Sequence, residues 1–213
     1  MNVAKSLIAT LLLAAASLAP VAHAAVINFN GMTGTGTING YGSAPVANGG
    51  YNFASTENGY VTGSDYAGNT DSGYYAYNGT DFYMSAALAT VTRANALPFK
   101  LTSIDLAMWA GYSGAHTATL TGSKVGGGTV TQTVNLNTLG NGSKTTGNDF
   151  VTYFFTGFDN LSSLAISNNY GYYLAMDNFV LSAASIPEPS SMALFGLAVA
   201  AGAFARRRAA KSA

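Results

Sequence analysis

The chain has 213 residues, of which only 8% are charged, and its nine basic side chains balance nine acidic ones. It has no cysteine, which excludes disulfide bridges and a cysteine nucleophile. Stability must therefore come from packing, sheet hydrogen bonds or a bound metal.

The N-terminus has the pattern of a cleavable secretory signal. Lys5 precedes an apolar run over residues 7–18, and Ala22-His23-Ala24 then places small residues where a signal peptidase reads them. The pattern predicts a signal peptide over residues 1–24, cleaved after Ala24, with the export machinery and signal peptidase as partners. The alternative is an uncleaved anchor helix, which the short apolar run disfavours.

Residues 25–185 have the length of one domain with its own core. They carry four basic and eight acidic side chains, a net charge of −4. A mildly acidic body without a basic cluster argues against nucleic acid and against anionic lipid headgroups as partners.

Apolar residues of this body recur at every second position, which is the period of a half-buried strand. Two segments, 150–158 and 172–183, are aromatic or branched at nearly every position, as is typical of strands covered on both faces. The nine predicted strands lie within residues 26–30, 51–55, 82–88, 104–108, 117–121, 130–136, 150–158, 161–166 and 172–183. No helical period with caps appears, so we predict an all-β, antiparallel β-sandwich of the jelly-roll type.

Residues 55–80 differ from this pattern because they are rich in Gly, Asn, Ser, Thr and Tyr and nearly devoid of aliphatic side chains. They are either a long functional loop region or two short surface strands with loops.

Catalytic residues are scarce. His116 is the one histidine left after signal removal, so a Ser-His-Asp triad would need this imidazole, and no G-x-S-x-G elbow lies near it. Paired carboxylates for glycoside hydrolysis are not excluded, but most of the acids lie in turns where aspartate is expected for backbone reasons. We expect no catalytic residues and no enzyme activity, with a secreted hydrolase as the weaker alternative.

Asp177 and Asn178 lie in the last predicted strand, LAMDNFVLS, and the first strand, VINFNG, contains Asn30. These two strands resemble the terminal strands of jelly-roll carbohydrate-binding-type domains, in which acidic residues near each end hold a structural Ca²⁺. The resemblance implies calcium bound by Asp177, Asn178 and Asn30, although Asn30 stands where a carboxylate would be the stronger ligand. The alternative is that Asp177 caps a turn or accepts hydrogen bonds from backbone amides. No other cofactor is expected.

A second candidate surface is aromatic. Trp109 and Tyr112 lie in MWAGYSG at the end of a predicted strand, and Tyr75 and Tyr77 lie in the tyrosine-rich region. Such rings at loop ends are suited to stacking on sugars, which would make a polysaccharide the partner. The alternative is that these residues are core or cross-strand pairs.

Residues 186–213 begin with a stiff extended spacer, because Pro187 and Pro189 fix their own φ and restrict the residues before them, including Glu188. An uncharged run over 192–205 follows. As a helix it would be about 21 Å long, shorter than the roughly 30 Å bilayer core.

This run is apolar on every face and is followed by a basic tail over residues 206–211, which favours a transmembrane stop-transfer helix at about 190–205. The tail begins with Arg206, Arg207 and Arg208.

The order of Pro-Glu-Pro, apolar helix and arginine cluster closely resembles the PEP-CTERM sorting signal of Gram-negative bacteria. The resemblance implies an exported chain that is held transiently in the inner membrane, processed by an exosortase-type transpeptidase and moved to the cell surface or extracellular matrix. The leading hypothesis is a non-catalytic envelope or biofilm-matrix protein. The alternative is a carbohydrate-binding module acting in an exopolysaccharide.

Overall fold

The computed structural model describes residues 24–33, 38–42, 44–63, 76–108, 115–136, 148–169, 171, 173–184 and 196. Within 24–184 these residues form strands, turns and irregular segments, and none of them is helical. The thirteen strands are β1 (Ala24–Ile27), β2 (Ile38–Gly42), β3 (Val46–Asn48), β4 (Tyr51–Ser55), β5 (Gly59–Thr62), β6 (Phe82–Ser85), β7 (Ala89–Arg93), β8 (Phe99–Met108), β9 (His116–Lys124), β10 (Thr129–Leu136), β11 (Val151–Phe154), β12 (Leu161–Asn168) and β13 (Leu174–Ala183).

All of the strand pairings are antiparallel, and they fall into two groups. The first sheet has the order β2-β5-β6-β13-β8-β11, and β1 continues the β6 side of β13. The second sheet has the order β3-β4-β7-β12-β9-β10. Within the described residues the two groups join at a bridge between Leu161 and Phe99. The antiparallel all-β prediction is confirmed, and the shape is sandwich-like.

The main core contains side chains from both sheets. Alternate residues of β13 enter it, as the strand period requires, and they meet residues of β4 and β7 such as Phe53 and Val91. The Phe53 ring lies 5.0 Å from the ring of Phe29 and 5.0 Å from the ring of Phe179, both in edge-to-face geometry. These aromatic contacts hold the two sheets face to face.

The opposite, outer face of the first sheet is half covered. A second cluster on it contains Tyr60, Phe82, Met84 and small residues of β8 and β13. Phe150 packs on Phe82 with 5.2 Å between ring centroids. Phe150, which follows an undescribed stretch of the chain, therefore covers one part of this outer face.

The prediction of one strand over 150–158, covered on both faces, is wrong. β11 ends at Phe154, whose side chain is 72% exposed. Gly157 then adopts a positive φ of 77°, a turn conformation that glycine accepts readily. This turn lets Phe155 and Phe158 both enter the main core, 5.4 Å apart.

The tyrosine-rich region contains β5, which is buried at all four positions. The surface-strand interpretation is therefore wrong for these residues, and residues 64–75 lie outside the described part. β5 lies between β2 and β6, where Gly59 faces Tyr83, and a Cβ at position 59 would overlap the Tyr83 hydroxyl. A glycine needed for close packing reads as a loop signal in the sequence.

The two ends of the body lie side by side. Ala24 pairs with Ser182, and Ile27 pairs with Phe179. The last described residue of the body, Ala184, donates its backbone N–H to the Pro98 carbonyl at 3.1 Å. The first and last described residues of the body, Ala24 and Ala184, therefore lie at the same end.

Among the described residues, no helix is long and apolar enough to cross a membrane. The predicted helix at 190–205 lies outside the described residues except at position 196, as do the predicted signal peptide before Ala24 and the basic tail.

Candidate functional site

The outer face of the first sheet holds a pair of carboxylates on neighbouring strands. Asp177 of β13 is the register partner of Asp105 of β8. The next register pair joins Val180 to Ser103, so β13 has one residue more than β8 at this point. This β-bulge places Asn178 at a positive φ of 47°, a conformation that asparagine tolerates better than most residues.

Each carboxylate is held by hydrogen bonds. Asp177 accepts from Asn78 Nδ2 at 2.7 Å, Thr80 Oγ1 at 3.3 Å and the backbone N–H of Asn178 at 2.8 Å. Asp105 accepts from Asn178 Nδ2 at 2.8 Å and from Thr152 Oγ1 at 2.5 Å. Asn178 thus bridges the two acids, because its backbone serves one and its side chain the other.

Burial raises the pKa of Asp177 to about 6, because its side chain is fully buried. The hydrogen bonds from Asn178, Asn78 and Thr80 lower the pKa in part, and the charge of Asp105 raises it further. A carboxyl with this pKa exchanges protons near neutral pH, but with 0% exposure it has no open surface where a substrate atom can approach.

Two of the residues predicted to bind calcium, Asp177 and Asn178, are engaged in hydrogen bonds in this arrangement, and the calcium site stays a prediction. Three donors already point at the oxygens of Asp177, and Asn178 directs its amide N–H₂ toward Asp105. Asn30 is exposed in the turn after β1, and no hydrogen bond links it to Asp177 within the described residues. No group of three or more His, Cys, Asp or Glu suited to a metal occurs among the residues that were placed. Calcium requires six to eight oxygens, so the geometry favours the hydrogen-bonded alternative for Asp177.

Of the predicted stacking residues, only Tyr77 is described. It is half-buried, and its backbone exchanges two hydrogen bonds with the buried Asp149. These bonds join the segment that leads to Asn78 to the segment that leads to Phe150. Trp109, Tyr112 and Tyr75 lie outside the described residues.

The other predicted residues have simpler positions. His116 is half-buried at the start of β9, and Ala24 is the exposed first residue of β1. The processing residues lie outside the described part of the chain: Pro187, Glu188, Pro189, Arg206, Arg207 and Arg208.

Sequence reasoning missed a row of side chains on the outer face that has an exposed apolar residue at each end. The register joins Val26 to Val180, Val180 to Ser103 and Ser103 to Phe154 across four strands. Its two ends, Val26 and Phe154, are 57% and 72% exposed. The signal was hidden because Phe154 stands in a continuous aromatic run, where no periodicity separates inward from outward residues.

Comparisons with known proteins bear on the C-terminus. A family model described as the PEP-CTERM protein-sorting motif matches residues 185–208. The chain therefore carries this sorting motif, and the match includes all three residues of the Pro-Glu-Pro element and the three arginines. No curated protein matches the chain.

One similar solved structure is that of a DUF4465 family protein from Bacteroides caccae ATCC 43185. Its TM-score is 0.49 at 13% sequence identity, and the likeness covers 76% of this chain and 100% of that one. Likeness at this level carries no functional inference.

The raised pKa of Asp177 predicts that its contribution to folding stability falls as pH rises. The folded value of about 6 lies above the ordinary value of 3.8. The contribution is therefore fully present below about pH 4 and is lost as pH rises through 6. Two pKa units correspond to roughly 3 kcal/mol. We expect the unfolding free energy of Asp177→Asn, relative to wild type, to rise by about that amount between pH 4 and pH 7.5 in denaturant titrations.

Thr152→Val is the matched control, because it removes a donor to Asp105 without touching Asp177. A difference between Asp177→Asn and wild type that stays constant with pH would mean that Asp177 titrates normally. Running the series in EDTA and again in calcium also tests the calcium prediction. Calcium at 100 times Kd would raise the melting temperature by roughly 5–10 °C.

Proposed function

We propose that this protein is an exported, non-catalytic envelope or extracellular-matrix component, delivered as a membrane-anchored precursor and processed by an exosortase-type transpeptidase. The observation that carries the proposal is the PEP-CTERM motif at residues 185–208. It begins immediately after Ala184, the last described residue of the β-rich body. The motif implies export and a membrane-anchored precursor. The cell surface or matrix of a Gram-negative cell is the destination that we propose.

The position of the chain ends supports such a precursor. Because Ala24 and Ser182 are register partners, the predicted signal peptide and the sorting segment leave the body at one end. The rest of the body extends away from that end. Cleavage after Ala24 removes one register pair of β1 and keeps the pairs from Ala25 to Ile27.

Two features of the body support the absence of catalysis. Both of the paired acids, Asp177 and Asp105, already accept hydrogen bonds from neighbouring groups. In addition, Asp177 is fully buried. A general acid or nucleophile needs a geometric path to the substrate before its pKa matters.

We further propose that the body is a jelly-roll sandwich with carbohydrate binding as the second candidate function. The supporting observation is Phe154, a 72% exposed ring on the outer face of the first sheet. Its strand neighbour two positions earlier, Thr152, lies beside Asp105. Sugar rings pair an apolar face with hydroxyl groups, so an exposed ring next to hydrogen-bonding groups suits them.

The sorting proposal predicts a mature protein that lacks residues 1–24 and the arginine-rich tail. Intact mass spectrometry of the surface-released protein measures both ends. We expect Glu188→Ala to leave the precursor in the membrane fraction, because it alters the Pro-Glu-Pro element. Glu57→Ala is the matched control, since Glu57 is exposed and is the other glutamate of the chain. Released protein that still carries residues 206–213 would contradict processing at the motif.

The carbohydrate proposal predicts that Phe154→Ala weakens retention on the exopolysaccharide of the producing cells by about tenfold, as expected when an aromatic anchor is removed. Leu88→Ala, at a 39% exposed position elsewhere, should not change retention. Trp109→Ala tests the sequence-based stacking site in the same pull-down. If wild type and Phe154→Ala are retained equally, Phe154 is not the anchor. If neither Phe154→Ala nor Trp109→Ala reduces retention, carbohydrate binding through these surfaces is ruled out.

A further inference from the structure

The end of the body where β1 begins and β13 ends has a distinct surface, which we call the tail pole. Four loops share it: residues 49–50, 94–98, 125–128 and 155–160. The register places them there, because Tyr51 pairs with Arg93, and Leu161 pairs with both Phe99 and Lys124.

Basic side chains gather at the tail pole. Arg93, Lys100 and Lys124 lie there, and they are three of the four basic residues between positions 25 and 185. Lys100 is the register partner of Ser182, two residues before Ala184. The Pro98 carbonyl accepts from Arg93 Nη1 at 3.4 Å and also from the Ala184 N–H. Arg93 and Lys100 therefore lie close to Ala184, the last described residue of the body.

The described acids mostly lie elsewhere. Asp159 is the one at the tail pole, where its carboxylate accepts from Lys124 Nζ at 2.9 Å. The hydrogen bond from Lys124 lowers the pKa of Asp159, and the charges of Lys124 and Lys100 lower it further. The remaining described acids lie outside the four loops of the tail pole: Glu57, Asp81, Asp105, Asp149 and Asp177. Within the described residues the tail pole thus carries three positive charges and one negative charge.

Exposed apolar side chains accompany these charges. Leu97, next to Pro98, is 46% exposed, and Val125, next to Lys124, is 48% exposed. Loop tips that combine Lys or Arg with an aliphatic side chain suit the boundary between lipid headgroups and acyl chains. There the basic group is attracted to anionic headgroups and the aliphatic group is buried among acyl chains.

The length of the sorting segment sets the maximum distance between the tail pole and a membrane that holds the apolar run. Seven residues, 185–191, separate Ala184 from the apolar run that starts at Met192. Fully extended, they span at most about 25 Å. A tether of this length gives the tail pole a high effective concentration at the bilayer, so weak contacts suffice for docking.

We propose that the tail pole docks on anionic lipid headgroups of the membrane that anchors the precursor. The proposal rests on the membrane-anchored precursor proposed above. It differs from the expectation, drawn from the net charge of −4, that anionic lipids are not partners. The net charge is a sum over the whole body. At physiological salt, however, screening limits the range of each electrostatic interaction to about 8 Å. The lipid headgroups therefore interact with the charges of the tail pole and not with the net charge of the whole body.

The test uses the full chain in vesicles of phosphatidylcholine with or without phosphatidylglycerol. Because the chain has no cysteine, Thr129→Cys at the tail pole and Thr56→Cys at the far end each accept a single fluorophore. Headgroup-attached nitroxide quenches a nearby label. We expect strong quenching at position 129 in anionic vesicles, little at position 56, and loss of the difference as salt rises from about 0.1 M to 1 M, where the Debye length falls to about 3 Å.

Charge variants measure how much the basic residues contribute to docking. Each basic residue near an anionic surface strengthens binding about fivefold, so Lys100→Gln with Lys124→Gln should shift the docked-to-undocked ratio about 25-fold. Thr56→Glu with Leu88→Glu makes the same change in net charge at the far end and should leave the ratio unchanged.

The possible failures are distinguishable. A chain that alkaline washing removes from the vesicles would lack the membrane anchor, and the precursor model would fail together with docking. A chain that stays anchored, with labels 129 and 56 quenched equally or with quenching insensitive to salt, would overturn docking alone. The salt series on the two labelled chains needs no charge substitution, so a folding defect in a lysine variant does not obscure the result.

Discussion

The pairing of β1 with β13 is the constraint on which the rest of the arrangement depends. Four consecutive register pairs, from Ala24 with Ser182 to Ile27 with Phe179, join the first strand to the last. Because the chain has no cysteine, hydrogen bonds between β1 and β13, and not a disulfide, join the first strand to the last. The pairing also places Ala24 beside Ser182, so the first and last residues of the described body lie at one end.

The outer face of the first sheet is organised by register into three rows. One row is capped by Phe150 and its neighbours, the next holds the Asp177 and Asp105 pair, and the third is the row from Val26 to Phe154. The buried carboxylate is tolerated because Asn78, Thr80 and Asn178 satisfy its oxygens. The same residues join the capping segment to β13, so this network links two parts of the chain about a hundred residues apart.

Much of the fold was predictable from local pattern, and each failure has its own physical cause. β4, β8 and β10 follow clear alternation, and the Pro-Glu-Pro and arginine elements are specific in their order. β5 was missed because its glycine serves packing against Tyr83. Phe154 was misplaced because an unbroken aromatic run gives no face preference. The tail pole was invisible because Arg93, Lys100 and Lys124 are brought together only by strand register.

The most direct test of the β1–β13 pairing is a pair of engineered disulfides in the full chain. Val26 and Val180 are register partners, and opposed Cα atoms in antiparallel strands lie about 4.5–5.5 Å apart, within disulfide range. Val26→Cys with Ser182→Cys is the offset control, with a diagonal separation of about 7–8 Å. We expect rapid oxidation of the first pair and little of the second, read as a mobility shift on non-reducing gels. Failure of the Val26 and Val180 pair to cross-link, or faster cross-linking of the offset pair, would contradict the closure of the body at this end.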